Sequence, residues 1–98
     1  MRSIDFAGAQ CLSFRQLDEM NGLQKGSAFR LFKRHEQQLT EGQDFHYLPA
    51  GAHDVLIESL RAAGQVYSGT RHLVLITRDG YQKLQSLNGS TPSPSYTQ

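Results

Sequence analysis

The chain has 98 residues, of which 38% are apolar, and ten basic side chains against nine acidic ones give a formal net charge of +1. A mean hydropathy of −0.50 and the lack of any apolar run near the ~18 residues of a membrane span argue against a membrane protein. One domain's worth of chain buries too modest a core for a deep enclosed active site, and the single Cys11 excludes an intrachain disulfide or a cysteine zinc cluster.

In chain order, Ile4-Asp5-Phe6 reads as a strand stub or an arm, and Met1–Phe6 lacks the apolar core of a secretory signal, which points to the cytoplasm. Residues 11–14 read as a short extended entry. Ser13 is placed to cap a helix that carries Phe14, Leu17 and Met20 on one side. Asn21-Gly22 stops that helix, because both tolerate the left-handed conformation of a helix end. After the connector 23–26, Ser27 is expected to cap a second helix over residues 27–39. At about 100° per residue, Ala28, Leu31, Phe32, His35 and Leu39 share one face, and Arg30, Lys33, Arg34 and Gln37 share the other. His35 therefore reads as a packing residue. Between Lys25 and His35 there is no carboxylate, and Glu36 falls at the boundary between the faces. Two short helices joined by a Gly-bearing turn outline a helix-turn-helix.

Residues 40–43 form a turn, and the alternating Asp44–Leu48 reads as a strand closed by Pro49. Residues 51–63 are expected to be helical, with Val55, Leu56, Ser59, Leu60 and Ala63 inward and Gly64 as the stop. Residues 65–67 and 72–76, flanking Ser68-Gly69-Thr70-Arg71, read as a β-hairpin that would serve as a wing with Arg71 at its tip. Thr77 caps a last helix over 78–87 with Tyr81, Leu84 and Leu87 inward, ended by Asn88-Gly89. Residues 89–98 have linker composition and are expected to be a disordered Ser/Pro/Thr tail. The fold class expected is thus α+β, a small winged helix-turn-helix-like domain over residues 1–88 with three to four helices.

No enzyme chemistry assembles from the sequence. His35, His46, His53 and His72 have no metal-ligand spacing with Cys11 or with one another. Gly22 and Gly26 neither follow a strand nor precede a Gly-Lys-Ser/Thr ending, so no phosphate loop is indicated. Neither a catalytic residue nor a metal or cofactor is expected.

The runs Leu17-Asp18-Glu19-Met20-Asn21-Gly22, Gly26-Ser27-Ala28, Arg30 with Phe32-Lys33-Arg34, Glu41-Gly42-Gln43-Asp44-Phe45 and Leu75-Ile76-Thr77-Arg78-Asp79-Gly80-Tyr81 together resemble a known pattern. It is that of the open-reading-frame-six N-terminal family of phage and prophage regulators, itself similar to KilA N-terminal domains. The resemblance covers roughly residues 10–88. His35 stands where that family usually carries Asn, and such domains often precede a second domain, whereas here a Pro/Ser-rich stretch follows. The resemblance implies a phage or prophage origin, work inside a bacterial host cell, and binding of double-stranded DNA, often within antirepressor-like proteins.

The residues expected to meet DNA are Arg30, Lys33, Arg34 and Gln37 in the major groove, Lys25 and Ser27 at phosphate near the helix N-terminus, and Arg15 and Arg71 as further phosphate contacts. The alternative is a small antirepressor or host-factor inhibitor whose basic face meets a host or phage regulatory protein. A homodimer reading two half-sites is compatible with either.

Overall fold

A computed structural model describes residues 3–87. The proposed Asn88-Gly89 stop, the tail 89–98 and Met1-Arg2 lie outside the described residues. The fold is a small α+β domain with four α-helices and a four-stranded antiparallel sheet: β1 (Ile4–Phe6), β2 (Ala9–Ser13), α1 (Phe14–Met20), α2 (Ser27–His35), a 3-10 turn (Glu36–Gln38), β3 (Phe45–Leu48), α3 (Asp54–Ala62), β4 (Leu73–Thr77) and α4 (Arg78–Leu87). The sheet order is β1-β2-β4-β3. None of the helices among the described residues is long and apolar enough to cross a membrane.

The hairpin lies elsewhere than the sequence suggests. Ile4-Asp5-Phe6 does form a strand, joined to β2 through Ala7-Gly8, both at positive φ (54° and 78°), as a two-residue turn of this hand requires. Residues 65–67, by contrast, do not form a strand, so there is no wing hairpin at 65–76. Side chains from other elements take several backbone acceptors of the segment 65–70, while Tyr67 O accepts from Thr70 N at 3.0 Å within the loop. Gln65 O accepts from Ser13 Oγ at 2.5 Å, Val66 O accepts from Arg15 Nη1 at 3.3 Å, and Thr70 O accepts from Arg61 Nη2. β4 is instead a central strand, antiparallel to both β2 and β3. Burial on both faces explains why it reads as the unbroken apolar run Leu-Val-Leu-Ile rather than as an alternation.

The two faces of the sheet carry separate cores. On one, Leu12, Phe45 and Ile76 pack against Leu17 of α1, Ala28 and Phe32 of α2, and Tyr81 and Leu84 of α4. On the other, Cys11, Leu48 and Leu75 pack against Ile57 and Leu60 of α3. Burial and the nearby Asp5 carboxylate push the Cys11 thiol up to about 11, so it packs as a protonated, unreactive apolar group.

Helix α3 differs from expectation in start and face. Pro49–His53 is spent on a turn, with Gly51 at φ 91° and its N–H donating to Asp54 Oδ1 at 2.8 Å, so the helix begins at Asp54. The buried residues are Ile57 and Leu60, whereas Val55 is 87% exposed and Ser59 and Ala63 are exposed too. Ile57, absent from the stripe counted on sequence, seats under the sheet and turns the helix by about one residue. Leu87 is likewise half-exposed rather than inward. The Thr77 cap is present, with its Oγ1 accepting from Gly80 N at 3.1 Å.

Candidate nucleic-acid interface

Helix α1, the stop at Asn21-Gly22 and helix α2 follow in the expected order, but α2 is a regular helix only over Ser27–His35, short of the expected end at residue 39. Ser13 Oγ accepts from Gln16 N at 3.2 Å while Gln16 Oε1 accepts from Ser13 N at 3.0 Å, a reciprocal capping box. Asn21 ends α1, with Gly22 at φ 64° behind it. Helix α2 then rests its apolar face on the core. Phe32 is 2% exposed and meets Phe14 and Phe45 with ring centroids 5.4 and 5.0 Å away, a burial that contributes about 2 kcal/mol. The regular helix ends at His35, where His35 Nδ1 lies 3.0 Å from Gln38 Oε1, and the chain tightens into the 3-10 turn before the buried Leu39. His35 is thus half-buried and tied to Gln38 more than packed.

Two features of the start of α2 correct the sequence reading. The N-cap is Gly26, in the left-handed conformation at φ 91°, and not Ser27, whose hydroxyl accepts from Arg30 Nη2 at 3.4 Å. The helix-start N–H groups are capped from α1 by the buried Asp18, which accepts from Gly26 N at 2.9 Å and Ala28 N at 2.7 Å, and also from Tyr67 Oη at 2.5 Å. These two N–H groups therefore do not face outward for a phosphate. The carboxylate already occupies the positive end of the helix dipole, so of the phosphate site expected there only the Lys25 and Ser27 side chains are left.

The outward face of α2 is cationic but not free of acid. Arg30, Lys33, Arg34 and Gln37 are all exposed. Lys33, however, pairs with Glu36 at 2.8 Å, both side chains being about half exposed (54% and 42%). A surface pair of this kind is worth less than about 1 kcal/mol and yields readily to a phosphate. Arg34 and Gln37 make no side-chain hydrogen bond among the described residues. Arg15 is more committed, donating to Glu19 at 3.2 Å and to Val66 O at 3.3 Å. Arg71 is exposed in the loop before β4, not at a hairpin tip. Among the described residues no group of three or more His, Cys, Asp or Glu is arranged to hold a metal ion.

The structure therefore divides the eight predicted residues into two sets. Arg30, Arg34, Gln37 and Ser27 stand on or beside the exposed face of α2. Arg15, Lys25, Lys33 and Arg71 line a groove of about 730 Å³ between α2 and the segment 66–74. Sequence reasoning missed the aromatic residues of that groove, Phe29, Tyr47 and Tyr67. Phe29 falls between Ala28 and Arg30 at the edge of the apolar stripe, a visible signal; Tyr67 is brought in only by tertiary structure.

Tyr67 links the groove to the helix cap. Its burial first, and its hydrogen bond to Asp18 second, push the phenol up to about 12, above its ordinary value of about 10. The protonated phenol therefore stabilises the fold fully below pH ~10, and that contribution is lost as pH rises through about 12. Urea melts across this range should show wild type losing stability more steeply than Tyr67→Phe; parallel pH profiles would count against the Asp18 link.

No family model, curated protein or solved structure matches the chain.

Proposed function

We propose that this protein binds double-stranded DNA through α2, as a regulator of phage or prophage type acting in the cytoplasm of a bacterial host. In this reading α1 and α2 work as a helix-turn-helix pair, with α2 entering the major groove. The observation that carries it is the exposed set Arg30, Arg34 and Gln37 on a helix whose opposite face and first turn are fixed by Phe32 and Asp18. A rigidly mounted helix presenting Arg and Gln is suited to paired hydrogen bonds with base edges. The resemblance to the phage-regulator family across the same segments supports the reading. With no hairpin at 65–76, the loop that carries Arg71 takes the place of a wing beside the duplex.

The test is a gel shift with mixed-sequence duplex at low salt, followed by the Arg30→Ala/Arg34→Ala double variant. Neither side chain is buried, so the variant should melt like wild type. Its affinity should fall by about 10- to 100-fold, and its dependence of log K on log salt should become shallower by as much as about two units if both meet phosphate. Unchanged affinity and slope would remove α2 as the reading helix.

A further inference from the structure

The groove beside α2 is larger and more apolar than contact with a phosphate backbone calls for. Its lining includes the apolar side chains of Phe14, Phe29, Phe32, Phe45, Tyr47 and Val74. Phe29 and Tyr47, from different elements, remain 49% and 43% exposed. Large rings left half-wet on the walls of one concavity mark a surface that a partner completes.

The charge around the groove is polarised. Lys25 Nζ and Arg15 Cζ lie 5.0 and 5.9 Å from the centroid of the Tyr67 ring, at the end where α2 begins. Glu36 and Glu41 line the groove toward the other end of α2, about 13 Å away along a nine-residue helix. Arg15 and Lys33 have carboxylate partners, Glu19 and Glu36. Lys25 and Arg71 have none within 4.0 Å among the described residues.

We propose that this groove docks a peptide segment of another protein, one that places one or two bulky apolar side chains against Phe29 and Tyr47 and directs a carboxylate at one end toward Lys25. The polarity of the groove decides between a peptide and a nucleic-acid strand. A single strand carries a phosphate on every nucleotide and would set one against Glu41, which lines the groove with no cation partner within 4.0 Å among the described residues, whereas a peptide can keep its acids at the cationic end. The cations at that end supply orientation and the rings supply contact area. Arg30, Arg34 and Gln37, the base-reading residues of the proposed duplex site, do not line the groove, so substitutions at Arg30 and Arg34 test duplex binding apart from it.

The test is selection of random peptides displayed on phage against the immobilised full chain, followed by binding measurements on a synthetic peptide of the enriched sequence. The expected consensus pairs aromatic or aliphatic residues with Asp or Glu at one end. Its affinity should fall at least about tenfold in Phe29→Ala and in Lys25→Glu, yet stay within about twofold in Arg30→Ala/Arg34→Ala, the variant that disables duplex binding. Thermal melts verify that each variant is folded, and Tyr47→Ser replaces Phe29→Ala if that one is not. No enrichment, a basic consensus, or a peptide indifferent to both Phe29→Ala and Lys25→Glu would overturn the proposal. So would a single-stranded oligothymidylate that binds more tightly than the peptide and is lost in Phe29→Ala.

Discussion

Asp18→Ala is expected to destabilise the protein by about 3–5 kcal/mol, a large part of the stability of a domain this size. Asp18 is 1% exposed and accepts three hydrogen bonds, from Gly26 N, Ala28 N and Tyr67 Oη. Each bond to a charged acceptor is worth about 1.5–3 kcal/mol, and the three are coupled, so they do not simply add. Removing the carboxylate strands two N–H groups at the start of α2 and releases the Tyr67 loop in the same step. Three parts of the fold meet at this one side chain: α1, the first turn of α2, and the segment leading to β4. For 98 residues, such a loss corresponds to a fall in Tm of about 15–30 °C. Asp18→Asn, which keeps an acceptor oxygen without the charge, should lose markedly less. Urea denaturation of both variants would decide the matter; a Asp18→Ala protein within about 0.5 kcal/mol of wild type would mean that the cap is replaced by water. The functional consequence is a prediction about position, not contact. If α2 reads DNA as proposed, a loosened α2 presents Arg30 and Arg34 over a range of angles, and DNA affinity should drop even at temperatures where Asp18→Ala is still folded.

What was legible in the sequence was local, and what was not depended on distant partners. Ser13 with Gln16 three residues on, Asn21-Gly22, and Thr77 before α4 are signals contained within a few residues, and each performs the expected role. The two-sided pattern of α2 is also self-contained, so Ala28 and Phe32 are buried while Arg30, Arg34 and Gln37 are exposed. The failures have a common cause. Ser27 has every local property of a cap, but the N-cap falls one residue earlier, at Gly26, and Asp18, eight residues before it, takes the N–H groups of Gly26 and Ala28. The segment 65–67 looked like a strand because Val66 and Tyr67 favour strands. The acceptors of Gln65 and Val66 were nonetheless claimed by Ser13 and Arg15, about fifty residues away in sequence. Val55 and Ile57 are both β-branched and either could lead an apolar stripe; only the position of α3 beneath the sheet selects Ile57. The groove was invisible for the same reason, since its walls come from α1, α2, β3 and the 66–74 segment together.

Gly80→Ala should be as damaging as Asp18→Ala, although the usual rule for a glycine inside a helix has the opposite sign. In an exposed helix interior, replacing Gly by Ala gains about 1 kcal/mol. Here a Cβ at position 80 would lie 1.8 Å from the carbonyl oxygen of Asp44 and 2.7 Å from its carbonyl carbon. Contacts under 3.0 Å are not sustained by real Cβ atoms, so either α4 or the chain at Asp44 must move. Neither is free to do so. The Asp44 carbonyl accepts from Thr77 N at 3.0 Å and from Thr77 Oγ1 at 2.9 Å. The Asp44 carboxylate, itself fully buried, accepts from Thr40 N at 2.9 Å and from Lys83 Nζ at 2.7 Å. Shifting α4 outward withdraws Tyr81 and Leu84 from the core they share with Phe32 and Leu17, and so loosens the floor on which α2 rests. Backbone overlap of this kind costs at least about 3 kcal/mol. Gln82→Ala, on the exposed side of the same helix, provides the control and should stay within about 0.5 kcal/mol of wild type. Calorimetric melts of the two variants would separate helix propensity from close packing. A Gly80→Ala protein as stable as wild type would mean that α4 can shift without disturbing its contacts, and the close seat of α4 on the Asp44 corner would then have no part in holding α2 against the sheet.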